Sequence, residues 1–186
     1  PAKFEETLVE DGLCCGTQRL RIVDRDRAVQ PWTSADGRWA LSYNGEVFNH
    51  RALRDELRSL GHHLRSESDT EVVLEAFLAW GPDAVHRLRG EFAYAIVDRQ
   101  THDVLLCRDA VGVKPLYWSM ADGCLHVASE VKALVPVGAP VHEVPPGHLG
   151  WGGPGEAPRL APYVDLLRLG EGEAPLDDVD EAAAVV

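Results

Sequence analysis

Basic residues are scarce in this chain. Its 186 residues carry 18 Lys and Arg against 30 Asp and Glu, a formal charge of −12. A surface of that sign repels phosphate backbones and anionic lipid, which argues against nucleic acid and membrane surfaces as partners. Long apolar runs are missing too: none approaches the ~18 residues that cross a bilayer. The first ten residues hold three Glu and no apolar core of a secretory leader. Cysteine is sparse. Cys14, Cys15, Cys107 and Cys124 form no CxxC, hence neither a disulfide framework nor a zinc pattern, and a reducing, cytoplasmic setting is expected. The eight His are scattered without ligand spacing, so no metal is expected.

What is present suffices for one domain with a core plus a tail, since 45% of residues are hydrophobic. Residues 7–9 and 13–15 read as strands flanking the turn signal Glu10-Asp11-Gly12. Residues 19–24 alternate polar and apolar, as a half-buried strand does. A strand over 39–43 ends at Asn44-Gly45. A helix follows, with Asn49 as cap, a stripe of Leu53, Leu57 and Leu60, and Gly61 as stop. The next opens on Ser68-Asp69-Thr70-Glu71, a capping box, and runs to Trp80 before Gly81-Pro82. A short helix over 83–88 comes next. Strands over 92–98 and 104–108 pair, as do 116–119 and 125–129 across Ala121-Asp122-Gly123, and 130–134 makes a helical turn. Hairpins on both sides of two helices predict an α+β fold. Residues 150–155 contain four Gly and one Pro and read as linker, as does the acidic stretch from Asp165 onward, and 180–186 reads as the start of a helix.

Three polar clusters carry chemical meaning, each with a plain alternative. Asn44-Gly45 is either a hairpin turn or, through a bare Gly N–H and an Asn amide, a pair of oxyanion donors. Asp69 is either a dipole-favoured acid or the acceptor of an amino acid's α-ammonium. Arg19 is either a solvated strand charge or a bidentate clamp for an α-carboxylate.

Taken in order, Arg19-Leu20-Arg21-Ile22-Val23-Asp24, Asn44-Gly45-Glu46-Val47-Phe48-Asn49-His50, Ser68-Asp69-Thr70-Glu71, Leu88-Arg89-Gly90-Glu91-Phe92-Ala93-Tyr94-Ala95, Arg108-Asp109 with Gly112-Val113-Lys114-Pro115-Leu116-Tyr117, and Ala128-Ser129-Glu130-Val131-Lys132-Ala133-Leu134 resemble the glutaminase domain of asparagine synthetases, a class II glutamine amidotransferase. The resemblance covers roughly residues 5–165. It implies an N-terminal-nucleophile αββα sandwich, two antiparallel sheets between helical layers. It implies that Arg19 binds the glutamine α-carboxylate, that Asn44 and the Gly45 N–H form the oxyanion hole, and that Glu46 and Asp69 hold the α-amino group and the pocket rim. A thiolate attacks the side-chain amide, ammonia leaves, and a thioester is hydrolysed.

The family's nucleophile is a Cys at the mature N-terminus, and position 1 here is Pro. The Cys15-Gly16 pair is no substitute, because Arg19 and its strand follow only four residues later, where the resemblance implies a separation of several tens of residues. Cys14 and Cys15 are read instead as small residues of the preceding strand. The expectation is that the thiol and a first strand precede Pro1 in the gene, leaving this chain inactive alone. The alternative is a degenerate, non-catalytic domain like those of β-lactam synthetase relatives. Retention of Arg19, Asn44, Gly45, Glu46 and Asp69 favours the first. Residues 1–165 are then the amidotransferase-like domain, and 166–186 the linker to a synthetase domain, in cis or in trans. That partner domain would use ATP and Mg, with no cofactor in this one. The oligomeric state is open, a homodimer being one option.

Overall fold

The computed structural model describes residues 4–10, 12–19 and 30–164. The chain first makes a hairpin of β1 (Phe4–Glu10) and β2 (Leu13–Arg19), with Glu10 opposite Leu13 and Gly12 at φ +78°. The turn falls where the sequence signals it, and both Cys14 and Cys15 lie in β2. Residues 20–24 of the next expected strand lie outside the described residues, as do the acidic stretch from Asp165 and the terminal helix start.

After β3 (Trp32–Thr33) come β4 (Trp39–Val47), α1 (His50–Ser59), α2 (Asp69–Trp80) and a 3-10 turn over Gly81–Arg87. Strands β5 (Gly90–Asp98), β6 (Val104–Arg108), β7 (Tyr117–Ala121) and β8 (Cys124–Ala128) follow, then the single turn α3 (Val131–Leu134). The described chain closes with β9 (His142–Glu143), β10 (His148–Gly153) and β11 (Glu156–Pro162). One antiparallel sheet has the order β11-β10-β6-β5-β4-β3, and a second has β8-β7-β9.

The period-2 pattern of β5 explains the layering. Its large residues Phe92, Tyr94 and Ile96 join Leu41, Leu57, Val73 and Phe77 in the core under α1 and α2. Its small residues Ala93 and Ala95 face the other way and pack with Leu106, Leu116 and Val144. The layers run helices, sheet, sheet, with α3 set against β7 and β8. This is the αββα arrangement, whose second helical layer is represented among the described residues by α3 alone.

Several local expectations need correction. Strand β4 does not end at Asn44-Gly45; it runs through to Val47, with Asn44 opposite Ala93 and Gly45 opposite Phe92. Asn49 precedes α1 without capping it through its side chain. Its amide instead donates to Arg87 O at 2.9 Å and accepts from Arg89 N at 2.9 Å, tying the helix to the segment that leads into β5. Leu60 is 57% exposed, because the helix stops at Ser59 before the stripe reaches it, and Arg54 is buried beside Leu53 and Leu57 in its place. Arg54 donates to Ser66 O and Ser68 O, at 2.6 and 3.1 Å. The capping box is half formed. Ser68 Oγ accepts from Thr70 N at 3.1 Å, but the fully buried Glu71 reaches past the cap to the N–H groups of Arg65 and Ser66.

The Gly-rich run after Pro145 is not a linker. It is β10, paired with β6 on one side and β11 on the other. Its glycines serve close approach: a Cβ on Gly150 would lie 2.1 Å from Arg159 O. Trp151 lies against Trp39 and Phe77, with ring centroids 6.3 and 6.2 Å apart.

Candidate functional site

The end of β4 meets the start of α2, and that junction gathers most of the residues singled out by sequence. Asp69 is the first residue of α2, where the helix dipole favours its charge. Its Oδ2 accepts from the Tyr43 hydroxyl at 2.7 Å and from Val47 N at 3.1 Å, so one carboxylate oxygen fastens the helix to the strand.

The direction of the Gly45 N–H follows from the ladder. Phe92, opposite Gly45, has both backbone groups engaged on its β6 side. Its N–H donates to Asp109 Oδ2 at 3.2 Å, and its C=O accepts from Asp109 N at 2.7 Å. Gly45 and Phe92 are therefore a non-hydrogen-bonded pair of the antiparallel ladder. The Gly45 N–H turns toward the outer edge of β4. Its neighbours along that edge are both held: Tyr43 N donates to Gln30 Oε1 at 3.0 Å, and Val47 N donates to Asp69.

Asn44 is exposed and leaves the strand on the face opposite Tyr43. It lines a cavity of about 580 Å³ between the two sheets, with Ser42, Ala95, Leu116, Val127 and Cys15. The small Ala93 and Ala95 of β5 leave that room. Glu46 is exposed and directly opposite Glu91, whose carboxylate takes a 2.8 Å ion pair from Lys114. Burial, and then the charge of Asp69 and its hydrogen bond with the phenol, push the Tyr43 hydroxyl far above the ordinary tyrosine range, with Glu46 and Glu91 adding to the effect. Arg19 closes β2, and its side chain lies outside the described residues.

The loop after β6 is built around another carboxylate. Asp109 is fully buried and accepts from the N–H groups of Phe92, Val111, Val113 and Lys114 at 3.0–3.2 Å. Arg108 beside it donates to Lys114 O, Gly112 O and Val144 O and pairs with Glu143 at 2.5 Å. This pair shapes the 109–116 loop that brings Lys114 to Glu91.

All four cysteines are free. Burial pushes the Cys15 thiol up to about 11 and the Cys107 thiol up to about 12, so neither is a ready thiolate at neutral pH. Among the described residues no group of three or more His, Cys, Asp or Glu is placed to hold a metal ion, and no helix is long and apolar enough to cross a membrane.

Residues 3–149 match the family described as the glutamine amidotransferase domain. The chain belongs to that family. This amidotransferase domain is 38% identical over 147 residues to asparagine synthetase B [glutamine-hydrolyzing] of Escherichia coli, covering 78% of this chain and 26% of that protein. Asparagine synthetase [glutamine-hydrolyzing] 3 of Arabidopsis thaliana is 39% identical over 134 residues, 71% of this chain and 23% of that one. The chain thus spans about a quarter of the length of the curated relatives it matches. Among solved structures, glutamine phosphoribosylpyrophosphate amidotransferase from Bacillus subtilis superposes with a TM-score of 0.66 at 26% identity, over 79% of this chain and 34% of that one. The amidotransferase domain has the N-terminal-nucleophile αββα fold and is asparagine synthetase-like in sequence.

Sequence reasoning missed the anchors of this site. Tyr43 and Gln30 carry no motif of their own, and their part depends on which way the β4 N–H groups face. Glu91 and Lys114 lie inside segments that resemble the family, Leu-Arg-Gly-Glu and Gly-Val-Lys-Pro, and the pairing of those segments was the available signal.

Proposed function

We propose that this domain binds glutamine and releases its side-chain nitrogen as ammonia for an ATP-dependent, amide-forming synthetase domain in cis or in trans. The observation that carries the reading is the outward Gly45 N–H, set between two anchored neighbours and one residue from Asn44. Two donors so placed suit the oxygen of a tetrahedral intermediate. Asp69 keeps its second carboxylate oxygen for the glutamine α-ammonium, with Glu46 at the rim, and Arg19 takes the α-carboxylate. A cysteine thiolate adds to the amide carbon. The intermediate collapses with loss of ammonia, and water hydrolyses the thioester to glutamate, returning the thiol. The cavity beside Asn44 is the space for the thiolate's attack. The ATP- and Mg-dependent step belongs to the synthetase domain, and free thiols throughout suit a cytoplasmic setting.

Calorimetric titration of glutamine into the protein, wild-type and with Asp69→Ala or Arg19→Ala, tests the site, and an ammonia-release assay on the full-length gene product tests the reaction. Binding that weakens in both variants supports the assignment. Unchanged affinity in both would sink it, and no binding in the wild type would leave a scaffold domain of the same fold as the better reading.

A further inference from the structure

Among the described residues β1 and β2 pair as strands only with each other. What fixes this hairpin is its tip. Glu10, the last residue of β1, meets the guanidinium of Arg99 in a two-pronged pair: Nε donates to Oε2 at 2.9 Å, and Nη2 donates to Oε1. Nη1 of the same group donates to Gly37 O at 2.5 Å. Arg99 thus fastens the hairpin to both the turn between β3 and β4 and the turn between β5 and β6. His102, from the latter turn, lies against Gly12, where a Cβ would come 2.8 Å from the ring.

From that tip β2 runs seven residues, about 20 Å, along the inter-sheet cavity. Leu13, Cys15 and Thr17 are half-buried, alternating with the exposed Cys14 and Gly16. The strand forms one wall of the cavity that Ser42 and Asn44 line from β4, and it ends at Arg19. We propose that Arg99 is a positioning residue: its clamp on Glu10 holds the β1–β2 hairpin as a flap over the cavity and sets where Arg19 arrives at the substrate. The part concerning Arg19 rests on the glutamine reading above; the flap does not.

The test is a charge swap in the whole protein: Arg99→Glu, Glu10→Arg and the double variant. Two readouts are taken, the alkylation rate of Cys15 relative to exposed Cys14 and the glutamine Kd, with buried Cys107 as the reporter of an intact fold. Each single variant is expected to speed Cys15 severalfold while Cys107 stays protected, and to raise the Kd by about fivefold at most, the range of one partly exposed pair. The double variant is expected to restore most of both, the donation to Gly37 O being the part that the swapped pair lacks. Cys15 rates unchanged in the single variants, or not restored in the double, overturn the flap. Faster Cys15 alkylation with an unchanged Kd overturns the positioning role. A wild-type protein that binds no glutamine overturns the glutamine reading and the Arg19 part with it, and the Cys15 rates then decide the flap alone.

Discussion

Gly45 and Gly90 flank the Glu46–Glu91 pair from opposite strands, and each leaves space for the other strand's carbonyl. A Cβ on Gly45 would lie 2.2 Å from Glu91 O, and one on Gly90 would lie 2.1 Å from Glu46 O. The close approach holds the end of β4 against β5 while the Gly45 N–H faces outward. Gly45→Ala and Gly90→Ala are each expected to cost about 1–3 kcal/mol, as overpacking does. Urea midpoints measure this, and a midpoint at the wild-type value in either variant would show that the strands have room to part.

Asp69 does two jobs, and Asp69→Asn separates them. The amide oxygen still accepts from Tyr43 and Val47, so stability should stay within about 1 kcal/mol of wild type. The lost charge should weaken glutamine roughly tenfold, since a charge-assisted bond becomes a neutral one. Calorimetry and denaturation on the same sample read both, and a variant that is markedly less stable yet binds normally would reverse the assignment.

The pattern was partly legible in the sequence, and the misses share a cause. The β7–β8 turn is written locally: Asp122 and Gly123 take φ +49° and +75°, conformations that suit those two residues. Ser68 caps α2 by contact with the next turn of chain. The Asn44-Gly45 pair looks like the same kind of signal, yet its glycine answers to Glu91 O on a distant strand. Residues 150–155 look like a linker for the same reason, because the partners that make them a strand lie on β6 and β11. Asn44, Gly45 and Asp69 could be picked out by chemistry, whereas the edge toward which Gly45 points depends on Phe92 being engaged by Asp109.

Three tyrosines bear on the alkaline limit. Burial raises the hydroxyls of Tyr43, Tyr94 and Tyr163 above the ordinary range, with Asp69 adding to the effect at Tyr43. A raised folded-state value means stability that is full below the unfolded value, near pH 10, and lost as pH climbs past it. Ultraviolet titration should show these three phenols ionising together with loss of tertiary structure above about pH 10. Ionisation of all three in a still folded protein would contradict the burial described.

Asp109→Ala should be among the most damaging substitutions. It removes the acceptor of four backbone N–H groups in a fully buried place. Each orphaned donor costs about 1–3 kcal/mol where water cannot reach it, so the expected loss exceeds about 3 kcal/mol. A melting temperature near that of wild type would mean that water enters the 109–116 loop.

The β10–β11 hairpin has a practical bearing on how this domain can be excised. The family match stops at residue 149, in the second residue of β10. A fragment trimmed there would strip the neighbour from β6, take Trp151 from Trp39 and Phe77, and remove Tyr163, whose hydroxyl donates to Arg108 O at 3.0 Å. The bared β6 would be a sticky edge that invites aggregation. A cut that keeps these contacts lies no earlier than residue 164, beyond the boundary that similarity alone would suggest.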